Sequence, residues 1–117
     1  MLDLKHKKLD VWKLSVEFTK LIYTITEEFP KTEVFGISNQ LRRASVSDVS
    51  NISEGASRKS SMERKRFFMI ARSSLVEIDS QLEVCIALKF IKIEETQLLS
   101  EMVNHLFAML TNLISKS

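Results

Sequence analysis

Two glycines and one proline in 117 residues leave this chain almost without the means to turn sharply. Glycine supplies positive φ and proline fixes a bend, and an all-β sandwich or barrel needs such a signal about every 8–12 residues. A chain so poor in both must be built from a few long elements. Its abundant Leu, Ile, Lys, Glu and Ser make those elements helices. With 44% hydrophobic residues it can bury a core, and residues 1–117 are expected to form one domain.

Apolar periodicity places four helices. Val11, Leu14, Phe18, Ile22, Ile25 and Phe29 recur at spacings of three and four, which predicts a first helix over Leu9–Glu28. Pro30 ends it, having no amide hydrogen and disfavouring helix in the residue before it. A second helix is expected over Ser38–Ala56, with a thin stripe of Ile37, Leu41, Ala44, Val49, Ile52 and Ala56. After a Ser-rich turn, Ser60 and Glu63 suggest a capping box. Phe68, Ala71, Leu75, Ile78, Leu82 and Cys85 then mark a third helix over Ser61–Lys89. The fourth, over Glu94–Ile114, carries two adjacent stripes: Leu99, Met102, Leu106, Met109 and Leu113, and Val103, Phe107, Leu110 and Ile114. Glu94 and Glu95 suit the positive end of its dipole. Four long segments with short connections predict an all-α fold, an antiparallel up-down-up-down four-helix bundle.

The single cysteine, Cys85, cannot form an intrachain disulfide, and its place in an apolar stripe predicts a small buried residue. That usage suits a reducing cytoplasm, where the chain is expected. No apolar run approaches the roughly 20 residues of a membrane span. The net charge is only +2, but it is unevenly placed. Met1–Arg72 carries 14 Lys/Arg against 9 Asp/Glu, and Ser73–Ser117 carries 3 against 6.

Within that basic portion, Arg58, Lys59, Arg64, Lys65, Arg66 and Arg72 are candidates for neutralising phosphates, with a solvated cationic face as the plainer reading. A second constellation is a polar stripe along the second helix: Gln40, Arg43, Ser47, Asn51 and Glu54, continuing to Arg58. Glu77 on the third helix could pair with Arg43 across an antiparallel interface. The stripe reads either as a ligand face or as a network fixing helix register. Trp12, Val16, Thr19 and Tyr23 form an extra stripe on the first helix. Trp12, Val16 and Tyr23 are candidate contacts for another copy of the chain. One carboxylate per helix (Glu17, Glu54, Glu77, Glu101) hints at a metal bundle, but the Glu-x-x-His pairs of di-iron bundles are missing. There is no Gly-rich phosphate loop and no His or Asp patterned with Cys85. No cofactor and no enzymatic activity are expected.

Several stretches carry a resemblance. They are Leu9-Asp10-Val11-Trp12-Lys13, Phe29 to Gly36, the run from Gln40 to Gly55, and Phe68 to Glu77. Together they resemble the small four-helix-bundle proteins encoded within intervening sequences of bacterial 23S ribosomal RNA genes. The accessory variability protein of diversity-generating retroelements is similar too. The resemblance implies a bacterial protein assembling as a ring of five. The retroelement protein, a basic pentamer that binds nucleic acid and a reverse transcriptase, implies a nucleic-acid role. The chain departs from the family pattern at Asp48, where an apolar residue is usual, and at Ser53 and Ser73, which replace smaller residues. The leading expectation is a non-enzymatic homo-oligomer that binds RNA or DNA through its basic patch. The second is a structural or protein-binding module without a nucleic-acid role.

Overall fold

The computed structural model describes residues 1–117 and contains four helices and no strand. Helix α1 spans Asp10–Glu27, α2 Ile37–Ser57, α3 Ser61–Ala87 and α4 Ile93–Lys116, with short 3₁₀ turns at Lys5–Lys8 and Lys31–Glu33. Each helix packs on its two ring neighbours, α1 on α2 and α4, and α3 on α2 and α4, and no diagonal pair approaches. Direction follows from contacts between distant residues. Trp12 at the start of α1 bonds Ser53 near the end of α2, and Gln40 at the start of α2 meets Gln81 near the end of α3. Arg64 at the start of α3 meets Ser117 beyond α4. These are the antiparallel neighbours of an up-down-up-down bundle. No helix is long and apolar enough to cross a membrane.

The stripe read on α3 is the floor of the core: Phe68, Ala71, Leu75, Ile78, Leu82 and Cys85 are all buried. Facing it are Val11, Phe18, Ile22 and Ile25 from α1 and Leu41, Ala44 and Ile52 from α2. The two stripes expected on α4 resolve into one buried ridge, Leu99, Val103, Leu106 and Leu110. Phe107 lies outside that ridge, exposed beneath the Arg72 guanidinium. On α2 the inward face differs from the expected one. Ser45, Asp48 and Gly55 are buried, while Val49 and Ala56 are only half-buried. Small inward residues let α2 and α3 approach closely. A Cβ on Gly55 would lie 2.6 Å from Cε1 of Phe68, a separation only glycine permits.

Helix ends follow local chemistry. The Ser60 hydroxyl accepts the Glu63 amide at 3.0 Å, one half of the expected reciprocal cap. At α4 the Glu95 carboxylate accepts the Lys92 amide at 3.1 Å. Helix α3 ends earlier than Lys89. That residue turns left-handed (φ 63°), while its amide reaches the Ile86 carbonyl and the Phe90 amide reaches the Cys85 carbonyl. This pair of bonds is a Schellman stop, with lysine where glycine is usual. Burial pushes the Cys85 thiol up to about 11, with the Glu33 carboxylate adding to the shift, so the buried thiol stays protonated and unreactive.

Candidate nucleic-acid interface

The fold separates the six expected basic residues into two groups. The short turn between α2 and α3 must satisfy its own carbonyls, and Arg64 does so. Its guanidinium donates to the Lys59 carbonyl at 2.6 Å and to the Ser117 carbonyl at 3.1 Å. Arg72 donates to Thr111 on α4 at 3.1 Å and covers the Phe107 ring. Both are structural cations that hold α3 to its neighbours. Arg58 lies over the Phe67 ring, 4.8 Å from its centroid, yet remains exposed. Lys59, Lys65 and Arg66 have no carboxylate partner, since the molecule's two ion pairs are Lys20–Glu17 and Arg42–Glu27.

The antiparallel fold adds cations that the run in the sequence did not include. The Lys5–Lys8 turn packs on α2, and His6 meets the Trp12 ring edge-on at 5.4 Å, next to the Trp12–Ser53 bond. Lys5, Lys7 and Lys8 therefore sit at the same end of the bundle as the α2–α3 turn, and Lys116 joins them from the end of α4. The first helix of an antiparallel hairpin begins where the second ends, and that rule was the available signal. Glu54 and Glu63 are the nearby acids on the α2–α3 side. Clustered cations of this kind raise the local concentration of anions.

The polar stripe is a seam beside α3. Asn51 donates to the Ser47 carbonyl at 2.8 Å, so two of its members satisfy each other within α2. Gln81 bridges Gln40 and Glu77 at 3.3 and 3.2 Å. The expected Arg43–Glu77 pair does not form, because Glu77 is held by Gln81 on its own helix and no bridge within 4.0 Å links it to Arg43. Arg43, Ser47, Ser74 and Glu77 instead line an open groove of about 430 Å³ between α2 and α3. Glu54 is exposed and outside this groove.

The extra stripe of α1 divides as well. Trp12 is half-buried, and its indole N–H donates to Ser53 at 3.0 Å, so it joins α1 to α2 within the chain. Val16 and Thr19 are half-buried and Tyr23 is exposed, and with Val46 and Val49 of α2 they line a groove of about 460 Å³. Arg42 anchors one end of it, over the Tyr23 ring and bonded to Thr26 at 2.8 Å. A separate apolar strip on the outer face of α3 contains Met62, Met69 and Ile70, flanked by Lys65 and Arg66. Glu17, Glu54, Glu77 and Glu101 are all exposed, and no three His, Cys, Asp or Glu side chains gather where they could hold a metal.

Comparison with known proteins meets this geometry at the level of the whole chain. The family described as 23S rRNA-intervening sequence protein matches residues 7–112. A crystal structure of a protein of unknown function from the S23 ribosomal protein family of Bacteroides thetaiotaomicron superposes with a TM-score of 0.83. It shares 22% identity and covers 96% of this chain and 99% of its own. No curated protein matches.

Proposed function

We propose, from the premise that this chain belongs to the 23S rRNA-intervening sequence protein family, that it is a non-enzymatic homo-oligomer binding RNA or DNA through the basic end of its bundle. The observation carrying this reading is the gathering of Lys5, Lys8, Lys59, Lys65 and Arg66 at one end, none with a carboxylate partner. A folded domain gains little from unpaired like charges held together. Phosphates would neutralise them and release counterions, which makes affinity fall with salt.

Assembly multiplies a weak patch, because one bound copy raises the local concentration of the next. Two apolar surfaces on different faces favour it, the Val16/Tyr23/Val46 groove and the Met62/Met69/Ile70 strip. Two different surfaces suit a head-to-tail contact, which closes into a ring when the rotation allows. A ring of five is the first choice, on resemblance alone. The same surfaces support a second reading, a protein-binding module without nucleic acid. Light scattering on the eluting protein, with titrations against a generic single-stranded RNA and a generic duplex DNA at low salt, separates the two. A mass several times 13.5 kDa together with binding is expected. A multimer that binds neither nucleic acid would leave the second reading, and a 13.5 kDa monomer would remove the assembly.

A further inference from the structure

Near the middle of α2 a carboxylic acid lies in the core. Asp48 is 1% exposed, and neither of its oxygens has a hydrogen-bond partner. The buried hydroxyls of this region are already committed. Ser15 donates to the Trp12 carbonyl at 2.7 Å, Ser45 to the Arg42 carbonyl at 3.0 Å, and half-buried Thr19 to the Ser15 carbonyl at 2.8 Å. No donor reaches either oxygen of Asp48.

Nor is there a charge to balance one. The inward positions are Val11, Phe18 and Ile22 on α1, Ala71, Leu75 and Ile78 on α3, and Leu99, Val103, Leu106 and Leu110 on α4. The titratable groups of these helices point elsewhere. On α2 itself Arg43 and Glu54 are exposed, and Arg42 pairs with Glu27. Asp10, Lys13, Glu17 and Lys20 on α1 are exposed, as are Glu77 and Asp79 on α3. Arg72 is turned to Thr111, and Glu94, Glu101, His105 and Lys116 on α4 are exposed, while Glu95 caps the start of that helix. Of the two short turns, Lys5 and Lys8 are exposed, Lys7 bonds the Leu2 carbonyl, His6 packs on Trp12, Lys31 is exposed and Glu33 reaches the Ile37 amide. No cation pairs with Asp48, and a bare carboxylate in an apolar core is costly.

We propose that Asp48 is a proton-binding switch built into the bundle: the native fold holds it as the neutral acid, and its ionisation loosens the packing of α2 on α1 and α3. Burial alone carries its titration from the ordinary 3.8 up to about 7. Between those two values the folded chain holds a proton that the unfolded chain releases, so stability falls as pH rises through this window and levels off above it. One proton corresponds to a tenfold loss in the folded-to-unfolded ratio per pH unit. Val46 and Val49, close to Asp48 along α2, line the groove with Tyr23. The protonation state is thereby placed next to a candidate assembly surface, although the switch does not depend on assembly.

The test uses the full chain and Asp48→Asn, which keeps the shape and removes the charge. In urea titrations at pH values from about 5 to 8, the wild type should lose close to tenfold per pH unit relative to the variant below about pH 7, and run parallel to it above. Parallel curves throughout would overturn the proposal. Should the variant fail to fold, the wild type alone decides. With ¹³C-labelled aspartate carboxyls, one resonance of the folded protein should titrate near neutral pH. If every aspartate titrates in the ordinary carboxylate range, Asp48 is no switch.

Discussion

The two ends of this bundle differ both in the length of their connections and in the surface they present. At one end are the α2–α3 turn, the Lys5–Lys8 turn and the end of α4, with a surplus of cations. At the other, the α1–α2 and α3–α4 connections expose Val34, Phe35, Leu88 and Ile93, and the acids Glu27, Glu28 and Glu94 lie nearby. The apolar end also extends the core, for Phe29 meets Phe90 at 5.4 Å and Ile91 is buried beneath it. At the basic end the cations themselves divide by role. Charges that hold the fold, Arg64 and Arg72, are bonded to named acceptors. Lys59, Lys65 and Arg66 hold nothing within the chain, so their place is open to a partner.

Substitutions at shared and separate positions distinguish the two ends, and the costliest lie in the core that both rest on. Leu75→Ala and Leu82→Ala on the α3 stripe should each cost about 2–5 kcal/mol in denaturant melts, as large-to-small changes in a core do. Losses below about 0.5 kcal/mol in both would mean that α3 does not supply the floor of the core. At the root of the basic end, Gly55→Ala drives a methyl into the Phe68 ring and should cost about 1–3 kcal/mol. A neutral result would show that the α2–α3 approach is loose. At the apolar end the sign reverses. Lys89→Gly relieves a left-handed lysine and should gain up to about 1 kcal/mol, measured as a higher denaturation midpoint with unchanged slope. Replacing Lys59, Lys65 and Arg66 together by Ala should disturb the fold least. Stability should move by less than about 0.5 kcal/mol per site, because these side chains have no partner to lose. A bigger loss would make them structural, like Arg64.

Much of the fold was legible because helical periodicity reports the side that faces the core. All six positions read on α3 from Phe68 to Cys85 are buried. The inward face of α2 was harder to read, since Ser45, Asp48 and Gly55 look like surface or turn residues by composition. Gly55 faces inward where only a residue without a side chain fits against Phe68 of α3, and Ser45 and Asp48 are buried along the same helix. The third helix was expected to reach Lys89, yet that residue's left-handed backbone marks its stop, and no glycine announced it. The site was legible only as a run of charge. Nothing in the sequence distinguishes Arg64 from Arg66, one facing the turn carbonyls and the other solvent. Lys5 and Lys8 stand far from that run in the sequence, and only the antiparallel packing of the helices brings them to it.

If the basic end meets phosphates, binding must weaken with salt in proportion to the contacts made. Wild type and the Lys59/Lys65/Arg66→Ala variant are titrated against one generic RNA across a range of salt, with helicity and mass confirmed equal. The plot of log affinity against log salt should be steep for the wild type and flatter for the variant, by about 0.7–0.9 for each phosphate contact removed per copy. Identical slopes, or no binding by the wild type at the lowest salt, would contradict a phosphate-binding role for this end of the bundle.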